Sequence, residues 1–164
     1  MADQVIYEER VSSNKTQALF LALTALFAGL YARRRQAGRR GWLTAMLDLL
    51  AWLFGFYVFN YRTLVIQLTF SALTLTFGVF RWVVPLANVA ACGLDDLPTA
   101  MRFGGAGIHF MLIRGRYRAS FNFLEHPRVV IAFRQPVGPV RDLSFSTQHP
   151  EELCRLIQAA TAGT

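Results

Sequence analysis

Lysine is nearly missing from this 164-residue chain: Lys15 is the only one, and every other cation is arginine. Charge of either sign is scarce, at 16% of residues against roughly 25% in an average soluble domain. That shortage, with 54% hydrophobic residues, argues against a wholly soluble protein. The length leaves room for one small domain plus an anchor, not for two full domains. There are two cysteines, Cys92 and Cys154, and no CxxC. The three histidines, His109, His126 and His149, do not combine with them at metal-ligand spacing. No metal site is therefore expected, and the thiols are expected free and mostly buried. A disulfide requires that the domain face an oxidising compartment.

Catalytic sets are missing too. No Ser/His/Asp or Cys/His arrangement and no pair of carboxylates in one stretch stands out. Asp95–Asp96 is a loop pair suited to a turn or cap. Gly104-Gly105-Ala106-Gly107 precedes a strand, and no Lys-Ser/Thr follows, so it is a flexible loop and not a phosphate cradle. The reading is a protein that is not an enzyme and binds no cofactor. The residues before the first apolar run include Asp3, Glu8 and Glu9, which excludes a signal-peptide n-region.

What the chain has is a pair of apolar runs. Residues 16–32 carry no charge and span ~25 Å as a helix, at the short limit of a bilayer crossing. Residues 42–61 form a second run of adequate length. Tyr31, Trp42, Tyr57 and Tyr61 lie near the ends of the runs, where an aromatic belt places them. Between the runs sit Arg33, Arg34, Arg35, Arg39 and Arg40. This density accounts for most of the +7 net charge and suits anionic lipid headgroups or an acidic partner. Nucleic acid is not an expected partner, because the basic density sits between two apolar helices. Asp48 interrupts the second run, and an intramembrane carboxylate costs ~2.5–3.5 kcal/mol on insertion scales. Either it handles protons or polar cargo, or it lies near the interface and reaches back to the arginine turn. The second reading is preferred, because only Thr24 and Thr44 could join a polar path.

The pattern changes after residue 62. Residues 1–15 are read as a tail or short edge strand, and residues 62–164 as a β-rich domain. Thr, Val, Leu and Phe alternate through 63–85, with turns at Ser71–Ala72 and Gly78. Residues 88–107 read as a connection. Strands follow at 108–112, 117–123 and 128–134, then a Pro/Gly loop, then LSFST. The final helix, 150–161, starts at Pro150 with Glu151 and Glu152 at its positive end. Leu153, Leu156, Ile157 and Ala160 form its apolar stripe. The expected class is an α+β membrane protein. A two-helix transmembrane hairpin precedes a partly open barrel of about seven antiparallel strands, capped by a C-terminal helix.

Four blocks carry a resemblance: LTLTFGVFRWVVPLANVAAC (73–92), GGAGIHF (104–110), FNFLEHPRVVIAF (121–133) and FSTQHPEELCRLI (145–157). In this order they resemble the bacterial membrane-anchored PH-like (pleckstrin-homology-like) proteins, which carry two transmembrane helices ahead of one PH-like domain. The resemblance implies a bacterial inner or cytoplasmic membrane protein with its β domain on the cytoplasmic side. The five arginines of the turn favour the opposite, by the positive-inside rule. A hairpin lying partly in the cytoplasmic leaflet would satisfy both. The resemblance tips the expectation to a cytoplasmic domain.

One further basic set is Arg114, Arg116 and Arg118, which share a face if the stretch is a strand. They could meet an anionic headgroup or an acidic partner. The loop near Ser71 holds no Lys or Arg, so a phosphoinositide site of the eukaryotic kind is not expected. His109 reads as a satisfied core histidine. The expected function is a membrane-anchored, non-enzymatic interaction module that binds a partner protein, a larger membrane complex or a second copy of itself. The alternatives are an anionic-lipid sensor using Arg114, Arg116 and Arg118, and a small transport component using Asp48.

Overall fold

A computed structural model describes residues 4–95 and 106–162. Gly104, Gly105 and Asp96 lie outside them. The chain begins with a strand, β1 (Val5–Ser12). Two helices follow, α1 (Asn14–Gln36) and α2 (Trp42–Asn60), and then β2 (Thr63–Thr69), β3 (Ala72–Phe77) and β4 (Phe80–Pro85). A short 3-10 turn at Leu86–Asn88 leads to β5 (Val89–Leu94). After the undescribed stretch come β6 (Gly107–Ile113), β7 (Arg116–Asn122), β8 (Arg128–Val137) and β9 (Val140–Ser146). The last element is α3 (Pro150–Ala162).

The strands form two sheets. The first has the order β1-β2-β3-β4, all antiparallel. The second has the order β5-β8-β9-β7-β6, and in it β7 runs parallel to β9. Among the described residues nine strands thus replace the expected seven or so, and one pairing is parallel. The N-terminal segment is an integral strand. Ser12 stands opposite Thr63, so the helical hairpin is an insertion between two adjacent strands. The stretch read as a connection after Asn88 contains β5, whose pattern VAACGL has no clear alternation. The expected Pro/Gly loop is partly strand, because β8 runs through Pro136 where its ladder with β9 is irregular.

Period-two burial places the core between the sheets. Leu64, Ile66 and Leu68 on β2, and Leu73, Leu75 and Phe77 on β3, face Phe121 on β7, Val129 and Ile131 on β8, and Leu143 and Phe145 on β9. The amphipathic α3 adds Leu153 and Ile157 and lies against β5. Its stripe is the one read from the sequence.

Both long helices are apolar enough, and at 23 and 19 residues long enough, to cross a membrane. α1 starts where Ser13, in an extended conformation, accepts the Thr16 amide on Oγ at 3.0 Å. It continues four residues past the expected end and takes Arg33, Arg34 and Arg35 into its last turn, where cations suit the helix dipole. The turn shrinks to residues 37–41. Trp42, Trp52 and Phe59 each expose three quarters or more of their surface. Such apolar exposure is unlike that of a buried core helix and marks a surface for membrane or protein contact.

A line of rings joins the helices to the domain. Phe20 meets Tyr57 edge-on at 5.4 Å, Tyr57 lies 4.8 Å from Tyr61, Tyr61 4.9 Å from Phe77, and Phe77 5.1 Å from Phe123. Polar bonds reinforce the junction. Thr16 Oγ1 accepts the Leu124 amide at 3.2 Å, and Asn60 Oδ1 accepts the Val79 amide at 2.8 Å. Gly78, at φ +61°, leaves the room that Asn60 occupies, so a side chain there would overlap it.

Candidate functional site

The five turn arginines fall on two sides of the hairpin tip. A cavity of about 240 Å³ is lined by Tyr31, Arg35, Arg40, Thr44 and Asp48, among others. Asp48 therefore sits one to two turns into α2, on the side of Arg35 and Arg40. No second carboxylate and no histidine lines the cavity to extend a proton path from Asp48. On the other side, Arg33, Arg34 and Arg39 line a cleft of about 540 Å³ with Leu30, Leu43 and Leu47. Arg34 Nε donates to Thr44 Oγ1 at 3.3 Å, and that hydroxyl donates to the Arg39 carbonyl at 3.1 Å.

The second basic set is differently placed. Arg114 lies in the β6–β7 turn at φ +50°, outside both strands. Arg116 clamps Asp142, with Nη2 2.7 Å from Oδ1 and Nε 2.9 Å from Oδ2. This bidentate bond raises the guanidinium's already high pKa. Arg118 crosses the sheet face to Asp95, with Nη1 3.1 Å from Oδ1, and both side chains are largely buried. Arg116 and Arg118 do share a face, as the spacing implies. Each is already engaged by a carboxylate, so the pair does not form an open anion patch. The sequence could not signal this, because Asp95 and Asp142 lie 23 and 26 residues away from their partners.

That face of the second sheet is unexpectedly dry. Ser120, Asn122, Ser144 and Ser146 are all buried. The Ser120 and Ser144 hydroxyls bond each other at 2.8 Å, and Ser146 Oγ accepts the Phe123 amide at 2.9 Å. Beside them, the ring nitrogens of His109 are shielded from solvent, and both amide atoms of Asn122 are shielded without a hydrogen-bond partner among the described residues. His109 is thus half-buried, with the Gly107 backbone as a hydrogen-bonding neighbour. Its pKa is pushed below the usual imidazole value, first by burial and then by the positive charge of Arg128.

The cysteines depart most from expectation. Cys92 on β5 and Cys154 on α3, 62 residues apart, form a disulfide with their Cα atoms at 5.5 Å, within the normal range. Neither thiol is free. Sequence separation concealed the pairing, which depends on α3 folding back onto β5. Among the described residues, no cluster of three or more His, Cys, Asp or Glu could hold a metal ion. His126 Nε2 lies 2.7 Å from the Ser12 carbonyl at the helix root, and His149 precedes α3. No family model, curated protein or solved structure matches the chain.

Proposed function

We propose that this chain is a membrane-anchored, non-enzymatic interaction module whose β domain offers an edge strand to a partner protein. The observation that carries the reading is β6. It ends the second sheet with no neighbour on its outer side among the described residues. Its sequence, GIHFMLI, holds neither of the usual edge guards, lysine and proline. Ile108 packs on the core, and the same face continues outward through Phe110 and Leu112, which are 57% and 66% exposed. Unpaired backbone groups beside an apolar row suit an extended segment of another protein, added as a further strand.

The anchor serves this role through its rigid root. A domain tied to two spanning helices by the Phe20–Tyr61–Phe77 ring contacts stands at a fixed height and angle over the bilayer. It presents one edge in one orientation. The test is affinity purification in mild detergent with Phe110→Asp/Leu112→Asp. The wild type should recover a stoichiometric protein that the double variant loses while keeping its own fold and yield. Recovery unchanged by the substitutions would overturn the reading.

The transport alternative loses ground to the placement of Asp48 beside Arg35 and Arg40. The lipid alternative loses Arg116 and Arg118 to their own carboxylates.

The orientation we propose sets the β domain on the oxidising, non-cytoplasmic side. Two independent features support it: a disulfide inside the domain, and five arginines at the opposite end of the helices. This reverses the side that the family resemblance implies.

A further inference from the structure

The hairpin tip is asymmetric in charge. On one side, Arg35 and Arg40 share their cavity with Asp48. On the other, the larger cleft gathers Arg33, Arg34 and Arg39 with no acidic residue. Among the described residues, none of these three guanidiniums reaches a carboxylate within ion-pair distance. The floor of the cleft is apolar, made by Leu30, Leu43 and Leu47. Its volume, about 540 Å³, falls in the usual range of small-ligand sites. Arg34 is held by Thr44 through Nε, and the same threonine hydroxyl ties down the Arg39 carbonyl. Thr44 thus orients the Arg34 guanidinium and fixes the backbone from which Arg39 projects.

We infer that this cleft binds one anionic phospholipid of the leaflet facing the hairpin turn. The headgroup phosphate lies among Arg33, Arg34 and Arg39. The first part of an acyl chain lies on Leu30, Leu43 and Leu47. Guanidinium forks match phosphate oxygens in pairs, and they lose less hydration than an ammonium does. A choline headgroup would bring its quaternary ammonium towards three uncompensated cations and is disfavoured. The position fits, since α1 runs ~34 Å from its start near the domain and sets Arg33–Arg35 at headgroup depth. The inference rests on the membrane-spanning reading proposed above, and it assigns the turn a ligand that reading does not supply.

The test is native mass spectrometry of the full chain in mild detergent, titrated with phosphatidylglycerol, phosphatidylcholine or inorganic phosphate. One phosphatidylglycerol should remain bound per chain, and phosphatidylcholine should not. Arg34→Gln/Arg39→Gln should weaken binding about tenfold or more, whereas Arg35→Gln/Arg40→Gln, with equal loss of charge, should leave it within about twofold. Leu43→Trp fills the cleft without changing charge and should displace the lipid. Equal losses in the two arginine pairs would reduce the effect to general charge and overturn the site. So would retention of phosphatidylcholine, or full displacement by inorganic phosphate, which would mark a free-phosphate site. Alkaline carbonate extraction of membranes tests the spanning reading separately: an extracted chain sinks the anchor, and a retained chain without lipid preference sinks only this site.

Discussion

Glu9 shows how a single side chain can fasten distant parts of the chain. It belongs to β1 and is 9% exposed, yet it accepts bonds from the Tyr7 hydroxyl at 2.8 Å, the Gln148 amide at 2.6 Å and the Thr147 hydroxyl. It thereby ties the first strand to the segment that leads into α3. Burial and this carboxylate together raise the Tyr7 phenol pKa well above its usual value. Glu9→Ala would leave an amide and two hydroxyls without their acceptor and should cost about 2–4 kcal/mol, read as a lower unfolding midpoint in detergent. The alternation around Glu9 was legible as a strand, but a partner 138 residues away was not. His109 offers a pH test. Its folded pKa lies below the unfolded value of 6.5, so the unfolded chain binds more protons near that pH. Stability should be full above about pH 6.5 and fall as the pH drops through that value towards the depressed folded pKa. Unfolding midpoints measured at pH 7.5 and 5.5 should differ more for the wild type than for His109→Gln. Equal differences would show that another group dominates.

At the scale of elements, apolar runs and turns were legible. The two helices, the Ser71 and Gly78 turns and α3 all lie where composition and period put them. β5 was not legible, because both its faces and its partners are set by tertiary contacts: β8 on one side and α3 below. The arginines at the end of α1 read as a turn because charge breaks an apolar run, although arginine is itself a good helix former. The α3–β5 contact carries its own prediction. The Cys92–Cys154 bond closes a long loop, so Cys92→Ser/Cys154→Ser should lower stability by about 2–4 kcal/mol. Reductant should lower the wild-type midpoint and leave the double variant unchanged. A wild type indifferent to reductant would show that the two sulfurs are not joined in the mature protein.

For the whole molecule, local patterns conveyed two long apolar helices and a β domain but not the order of strands. Nothing in the residues of β7 announces a parallel neighbour in β9, since that pairing follows from how the second sheet closes around its core. Orientation is likewise a property of the whole. An Ala37→Cys probe in the turn should resist a membrane-impermeant thiol reagent in intact cells and react once the membrane is opened, while the native cysteines stay masked by their bond. Labelling without permeabilisation would place the turn outside and the domain inside.

The insertion of the helices between β1 and β2 also imposes a parity rule. Ser12 and Thr63 face each other across one ladder, so if the 50 residues between them enter a bilayer they must leave and return on the same face of it. The number of crossings in that stretch is even. A bitopic form in which the longer apolar run of α2 spans alone is forbidden, however marginal α1 is by itself. The strand pair enforces the entry of the weaker helix whenever the stronger one enters.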